Sequence, residues 1–302
     1  MHPGRWEKGS RFMQGNSLLK QKLIIFIGVI GISFSGVLAK LSNAPSIHLV
    51  MCRMFFTVLL MAVPFMKAFR KEREQLKGRT LIYCLISGIF LAVHFACYFQ
   101  SVRLASVSSG SLLVNTSVFF VPMITVPFLG EKLSGKALAG ILVTFLGGAL
   151  VAGADSGGGS NVLLGDAFAL LGALFMAIYT VMGRLCRKTI STALYTTIVY
   201  FIAGVVALLL VLAQQIPLTG YSLQDYACAF GMAVFCTLLG HSIFNWGLKY
   251  LSAAYISTVK LGEPVISAFF AFLLFGEVPG LLKILGGAVI LFGVAWTVRY
   301  SE

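Results

Sequence analysis

Long apolar runs, separated by short polar stretches, follow one another along the whole chain. Each run has roughly 17–25 residues, the length that an α-helix needs to cross a hydrocarbon core about 30 Å thick. The runs are too long and too continuously apolar for the alternating strands of a membrane barrel. The pattern therefore predicts an all-α integral membrane protein with ten transmembrane helices. We predict these helices over residues 22–41, 46–66, 80–101, 104–128, 134–153, 162–182, 193–213, 225–246, 251–275 and 280–299.

The second half of the chain repeats the first. Residues 98–149 align without a gap with residues 244–295, at a constant offset of 146. The identical pairs at this offset include Ser106 and Ser252, Ser111 and Ser257, Gly130 and Gly276, Glu131 and Glu277, Gly140 and Gly286, and Gly147 and Gly293. Each unit carries five predicted helices, and an odd number of spans places the second unit upside down. Two inverted five-helix repeats are typical of transporters that alternate access around a site at the membrane midplane.

The predicted boundaries follow from these runs and from one glycine-rich stretch. Asp155-Ser-Gly-Gly-Gly-Ser-Asn161 has the composition of a flexible polar linker and separates the two halves. The predicted organisation is a cytoplasmic N-terminal arm (1–21), a first five-helix repeat (22–153), an extracytoplasmic linker (154–161), a second five-helix repeat (162–299) and a cytoplasmic C-terminus (300–302).

Composition agrees with a membrane protein and changes the interpretation of the charge. Hydrophobic residues make up 58% of the chain and charged residues 11%, against about 25% charged residues in soluble domains. The net charge of +13 would suit a nucleic-acid partner, but the basic residues are unevenly placed. Eighteen of the 23 lie on the side of the N-terminus, against three on the other side, Lys40, Arg103 and Lys283. The positive-inside rule therefore predicts that both termini are cytoplasmic, and no nucleic-acid partner is expected.

Ionisable residues inside the predicted spans mark the candidate site, because a charge near the bilayer centre costs about 3 kcal/mol. Glu263 lies near the middle of the ninth span, three residues after Lys260 and directly before Pro264. The spacing places Lys260 and Glu263 on one helix face, where an ion pair can form. Pro264 lacks a backbone N–H, so a break in the helix is expected beside both charges. We interpret Glu263 as a coupling or substrate-binding group; the alternative is a self-satisfied pair that only eases insertion.

Polar side chains on four other predicted spans complete the cavity lining that we predict. They are His94 and Tyr98 on the third span, Asn115 and Ser117 on the fourth, Tyr179 on the sixth, and His241, Asn245 and Trp246 on the eighth. The repeat offset places Ser117 opposite Glu263, so one copy offers neutral groups where the other offers a charge. Histidine can carry a proton near neutral pH, although a lone membrane histidine more often hydrogen-bonds between helices.

Three further charged residues are predicted to act as a gate or at helix ends. Arg53 lies about two turns inside the second span, close enough for its guanidinium to extend to the outer interface as a gate. Glu131 and Glu277 each follow a glycine at an equivalent span end, which favours capping or hinge geometry over chemistry.

Glycines recur at helical spacing along the fifth and tenth spans. In lipid, small residues let helices approach closely. We interpret these two helices as scaffold or as the surface of a homodimer.

The motifs of enzymes and metal sites are missing from the sequence. It contains no HExxH, no GxSxG and no nucleotide-binding glycine loop, and its six cysteines form no CxxC pair. We therefore expect no enzymatic activity, no cofactor and no metal ion.

The chain resembles the drug/metabolite transporter superfamily, in particular its EamA-type members with two five-helix repeats. The resemblance is carried by Leu261-Gly-Glu-Pro-Val265, by Leu274-Phe-Gly-Glu277 with the glycine-rich helix after it, and by the first-copy counterpart Phe128-Leu-Gly-Glu131. It covers nearly the whole chain beyond the N-terminal arm. It implies a ten-helix bundle in the plasma (inner) membrane, a central cavity lined mainly by spans one to four and six to nine, and movement of small organic solutes, often against a proton or sodium gradient.

The residues and the resemblance together predict a secondary active transporter of a small metabolite such as an amino acid, with export as the expected direction. Its partners would be the small-molecule substrate, a proton or sodium ion for coupling, and the lipid bilayer. Two alternatives stay open. A passive facilitator with the same fold would only equilibrate its solute, and a flippase for a lipid-linked substrate would need a lateral opening.

Overall fold

The computed structural model describes residues 4–104, 107–130, 132–153, 162–275 and 280–300, and within these ranges all regular secondary structure is helical. The α-helices are α1 (Gly4–Leu41), α2 (Ser46–Leu60), α3 (Ala62–Glu72), α4 (Arg79–Leu104), α5 (Val107–Asn115), α6 (Ser117–Leu129), α7 (Gly135–Gly153), α8 (Val162–Cys186), α9 (Thr192–Ala213), α10 (Leu223–Gly231), α11 (Ser242–Gly247), α12 (Ala253–Val259), α13 (Glu263–Phe275) and α14 (Leu281–Tyr300). Two 3-10 turns (Arg73–Gln75 and Lys260–Gly262) and a π-helix (Met232–His241) join some of them. The predicted all-α class is confirmed.

Six stretches of the described chain are long and apolar enough to cross a membrane. They are Leu19–Leu41, Arg79–Leu104, Leu164–Cys186, Thr192–Ala213, Leu223–Gly247 and Ala253–Leu274. The bent pair α2 and α3 makes a seventh if it is taken as one span. Shorter apolar helices, Leu113–Leu129, Gly135–Gly147 and Ile284–Thr297, occupy the other three predicted spans. Helices thus occupy the described part of each of the ten predicted runs, and six or seven of them reach full spanning length.

Two predicted spans are broken helices where we expected continuous ones. The predicted span 46–66 bends by 65° at Met61, between α2 and α3. Pro64 lies in the first turn of α3 and has no N–H to continue the helix of the preceding turn. The predicted span 104–128 divides at Thr116, whose hydroxyl donates to the carbonyl of Leu113 at 2.6 Å. A side-chain hydroxyl that bonds to the backbone in this way competes with the regular helix.

The N-terminal arm predicted over residues 1–21 is part of a helix where the structure describes it. α1 begins at Gly4 and continues without interruption to Leu41. The membrane-length portion begins at Leu19, close to the predicted start at residue 22. The polar sequence before it therefore extends the first helix.

The last helices of the two repeats, α7 and α14, pack against each other and run antiparallel. Gly140 approaches Thr297, and Gly147 approaches Ile290. Residue numbers rise along α7 as they fall along α14, so the two helices point in opposite directions. Equivalent helices of an inverted repeat are expected to have this relation.

The contact between α7 and α14 leaves no room for a side chain at its glycines. A Cβ atom on Gly140 would lie 2.4 Å from Thr297 Oγ1, and one on Gly293 would lie 2.3 Å from Thr144 Oγ1. The threonine hydroxyls donate to the carbonyls of Gly140 and Gly293 in their own helices, at 2.8 and 2.9 Å. The predicted glycine stripes therefore form a seam within the molecule, as expected of a scaffold.

In two places, the first membrane span of one repeat packs against the third span of the other repeat. α4 packs antiparallel to α8, with the Sγ atoms of Cys84 and Cys186 3.8 Å apart at one end and His94 bonded to Gly172 further along. α1 packs in the same way on the segment formed by α10, the π-helix and α11. There, a Cβ atom on Gly31 would lie 2.6 Å from the carbonyl oxygen of Phe235. The two symmetric contacts enclose the centre of the bundle.

Candidate functional site

A cavity of about 40 Å³ lies near the middle of the helices that enclose it. This volume holds a few water molecules, at roughly 10–15 Å³ for each. Six of the predicted candidates line it: His94, Tyr98, Asn115, His241, Lys260 and Glu263. Arg53 lines it as well, together with apolar side chains that include Phe95 and Met176. The cavity thus brings together residues from both repeats.

Glu263 and Lys260 lie where the ninth predicted span breaks. α12 ends in the 3-10 turn Lys260–Gly262, and α13 begins at Glu263. Pro264 therefore occupies the first turn of a helix, where a missing N–H removes no helical bond. The expected break is present, but Pro264 itself lies outside the cavity lining. Both charged side chains are buried, with exposed fractions of 4% for Lys260 and 9% for Glu263.

The structure does not contain the predicted ion pair between Lys260 and Glu263. The salt bridges found within the described ranges include neither residue. Lys260 Nζ instead lies 3.8 Å from Met176 Sδ and 4.8 Å from the centre of the Phe244 ring. Asn115 Nδ2 donates to Glu263 Oε2 over 3.5 Å. The two side chains reach towards different helices, so each charge faces the cavity separately.

Arg53 faces the cavity and does not extend to a membrane interface as predicted. Its side chain is fully buried. Nε donates to Thr237 Oγ1 at 2.7 Å, and Cζ lies 4.3 Å from the centre of the Phe95 ring. Nη1 and Nη2 are buried and have no hydrogen-bond partner within the described part of the chain. Two neighbouring helices hold the guanidinium inward, and no pattern in the sequence predicted this orientation.

The π-helix Met232–His241 places the partner of Arg53. The hydroxyl of Thr237 donates to the carbonyl of Met232 at 3.2 Å, five residues earlier. The wider turn brings both Cys236 and His241 to the cavity wall. Short π segments inside helices occur frequently at functional sites. No motif in the sequence predicted this one.

The aromatic and imidazole groups of the cavity differ in whether their polar atoms have hydrogen-bond partners in the protein. His94 Nδ1 donates to the carbonyl of Gly172 at 2.9 Å, which leaves Nε2 as the acceptor. Tyr98 Oη and Ser111 Oγ lie 2.9 Å apart and share a hydrogen bond. His241 Nδ1 is buried and has no partner among the described residues. His94 and Tyr98 therefore have a fixed orientation, whereas His241 offers an open hydrogen-bonding group.

Four of the predicted lining residues lie behind the cavity wall. Asn245 Nδ2 donates to Tyr179 Oη and, at 2.8 Å, to the carbonyl of His241. These two residues hold His241 in place without lining the cavity. Ser117 begins α6 and is buried, and Trp246 packs against Tyr250 with ring centres 5.0 Å apart. Trp246 thus belongs to an aromatic pair outside the lining.

The two predicted helix-end carboxylates, Glu131 and Glu277, lie outside the described residues. The glycine before the first of them is described. Gly130 ends α6 with φ of 65°, a left-handed conformation that suits glycine at a helix C-terminus.

The charges of the lining sum to an excess of positive charge. Arg53 and Lys260 contribute two positive charges, and Glu263 is the one carboxylate among the lining residues. With the histidines neutral and Glu263 ionised, the cavity carries a net charge of about +1. Such a cavity can hold an anionic group and can exchange a proton or another cation at Glu263. Within the described chain, no three His, Cys, Asp or Glu side chains are grouped to hold a metal ion.

Comparison with known proteins agrees with this architecture. The profile of the EamA-like transporter family matches residues 20–153 and, a second time, residues 163–299. An uncharacterized transporter of Clostridium kluyveri is 25% identical over 255 residues, which cover 81% of this chain and 81% of the relative. The pseudopaline exporter CntI of Pseudomonas aeruginosa is 26% identical over 206 residues, which cover 68% of this chain and 71% of the exporter.

A solved crystal structure shares the fold. It superimposes with a TM-score of 0.73 at 18% sequence identity. The match covers 93% of this chain and 97% of the chain in the solved structure. The family profile matches twice, once for each repeat, and accounts for most of the chain. The protein is therefore a membrane transporter, and the chain belongs to the EamA-like transporter family.

Proposed function

We propose that the protein is a secondary active exporter of a small organic metabolite, such as an amino acid or a related compound. The observation that carries the proposal is the buried cavity between the repeats, which joins an ionisable carboxylate, Glu263, to two cationic side chains. A passive pore has no need of ionisable groups that are costly to bury. The name of the related exporter CntI supports the outward direction.

Transport requires the cavity to open. At about 40 Å³ it holds only a few water molecules, so the described conformation is closed around it. The symmetric contacts of α4 with α8 and of α1 with the π-helix are pairs that the two repeats can loosen in turn. The breaks at Thr116 and Lys260–Gly262 provide hinges next to the lining, and the bend at Met61 provides a third on the helix that carries Arg53. The proposed cycle is alternating access around this cavity, in the plasma (inner) membrane and with both termini cytoplasmic.

Glu263 is the proposed coupling group. Among the described residues, the Glu263 carboxylate accepts a single hydrogen bond, the long contact of 3.5 Å from Asn115 Nδ2. A proton or a sodium ion can therefore neutralise the carboxylate without displacing a strong internal partner. Binding of that ion on one side of the membrane and its release on the other would link substrate movement to the ion gradient.

The test is Glu263→Gln in proteoliposomes that contain the purified protein, a mixture of labelled amino acids and an imposed proton or sodium gradient. The wild type should accumulate solute against its concentration gradient, with a rate that depends on pH if the ion is a proton. The variant should equilibrate solute only and lose the pH dependence. Glu74→Gln is the matched control, because the Glu74 side chain is 71% exposed and is not part of the cavity lining.

Full accumulation by the Glu263→Gln variant would remove the coupling role. Equilibration without accumulation by the wild type, under both gradients, would favour the passive facilitator instead. Movement of a labelled lipid across the bilayer, without transport of soluble compounds, would favour the flippase.

A further inference from the structure

The guanidinium of Arg53 is a buried charge with unfilled hydrogen-bonding capacity. Its Nη1 and Nη2 atoms have no partner within the described chain, and the side chain is fully buried. An unpaired charge in a protein interior costs several kcal/mol. Burying such a donor is understandable if a ligand occupies the site during function.

The unfilled edge of Arg53 is also held in a defined orientation. Nε is fixed by its 2.7 Å bond to Thr237, and the guanidinium carbon lies 4.3 Å from the centre of the Phe95 ring. These two contacts leave the terminal nitrogens as a planar fork at the cavity. A planar fork of two N–H donors matches the two oxygens of a carboxylate.

The other charges of the cavity already have protein contacts. Lys260 lies against Met176 and Phe244, and Glu263 accepts from Asn115. One ligand with a single negative charge would therefore balance the excess of about +1 in the lining. A phosphate monoester, with a charge near −2, would overcompensate it. A purely cationic solute would meet two positive charges and one negative charge.

We propose that Arg53 binds the carboxylate group of the transported substrate, and that the substrate class is small metabolites that carry one carboxylate. This inference rests on the proposed function and narrows its substrate. The Nη1 and Nη2 atoms would donate to the two carboxylate oxygens, and the remainder of the substrate would occupy the space that opens towards Glu263. An ammonium group on the substrate, where present, would meet Glu263.

The first test compares matched ligands on the purified full-length protein. The probes are the amino acids with their carboxamides, pyruvate, and methyl phosphate, each measured by the shift in Tm as a function of concentration. At least one carboxylate should stabilise the protein, and its carboxamide should bind at least about 30-fold more weakly, because a buried charge loses its partner. In Arg53→Met the carboxylate should bind no better than the carboxamide. Arg53→Lys should also lose most of the preference, since one ammonium cannot replace the fork.

A second measurement separates binding from a merely structural role. Without ligand, Arg53→Met should have a Tm equal to or above that of the wild type, because the change removes an unpaired buried charge. Arg187→Met is the matched control. Arg187 is also buried, but it donates to the carbonyls of Asn245 and Ile190, so its loss should lower Tm.

Three results would overturn the inference. The first is equal binding of carboxylates and carboxamides, or no binding of any carboxylate probe. The second is a preference for methyl phosphate, and the third is a lower Tm for ligand-free Arg53→Met. Gradient-driven transport of another solute would then leave the proposed function standing. The proposed function fails separately if no solute accumulates in proteoliposomes.

Discussion

Asn245 and Tyr179 illustrate how a residue can act on the cavity without lining it. Asn245 donates both to Tyr179 and to the backbone carbonyl of His241. The sequence predicted that His241 and Asn245 share a helix face, since polar positions four apart do so, and it predicted Tyr179 as a further lining residue. The sequence could not show that they lie behind the cavity wall, because this depends on how closely α8 and α11 approach each other.

Tyr179→Phe tests this supporting role. The variant loses one buried hydrogen bond and should lower the free energy of unfolding by about 1 kcal/mol. Transport should persist, because Asn245 keeps its bond to His241. Thermal denaturation in detergent and uptake in proteoliposomes measure the two effects. Tyr83→Phe is the control, since Tyr83 is only partly buried; complete loss of transport in Tyr179→Phe would place Tyr179 in direct contact with the substrate.

Among single residues, Arg53 was the largest departure from expectation. Its position in an apolar run was visible in the sequence, and so was the cost of burying it. The direction in which its side chain points could not be predicted from the sequence. The two groups that orient the guanidinium, Thr237 and Phe95, lie on segments far apart from α2 in the chain, and hydrophobic periodicity carries no information about such contacts.

At the scale of helices, the breaks that depend on local chemistry were easier to predict than those that depend on packing. Pro264 predicted the break at the Lys260–Gly262 turn, because proline lacks a backbone N–H. The division at Thr116 results from a hydroxyl that bonds to a neighbouring carbonyl, which threonine does in only some helices. The glycines of α7 and α14 were recognised in the sequence as small residues that permit close packing. That these two helices pack against each other became clear only in the structure.

Gly140→Ala should destabilise the protein by about 1–3 kcal/mol, because the added methyl group would overlap Thr297. Gly135→Ala is the matched control on the same helix. A Cβ atom on Gly135 meets nothing within 4 Å, so alanine there should leave Tm unchanged or raise it. Equal Tm values for the two variants in a thermal scan would contradict the close seam.

At the scale of the whole molecule, the repeats are joined by contacts between them and not only by the chain. α7 packs on α14, α4 on α8, and α1 on the π-helix, so each repeat completes the other. The offset of 146 residues predicted two copies, and the odd number of spans predicted their inversion. The pairing of helices across the copies was not predicted, because a repeat in sequence does not state which faces meet.

Cleavage between the repeats tests this arrangement. A protease site that replaces residues 154–161 can be cut after the protein has been purified. The two fragments should migrate together in size-exclusion chromatography and retain ligand binding, because the contacts between repeats remain. Separation of the fragments in mild detergent would mean that the covalent connection holds the halves together.

The charge of Arg53, which has no ion-pair partner among the described residues, has an electrical consequence. Moving one elementary charge through the full membrane potential changes the energy by about 2.3 kcal/mol for each 100 mV. In the proposed cycle an empty carrier would bring its excess positive charge through part of that field, whereas a carrier loaded with a monocarboxylate would be nearly neutral. Membrane voltage would then act mainly on the return of the empty protein, so the potential of the cell would set how quickly the carrier becomes ready for its next substrate.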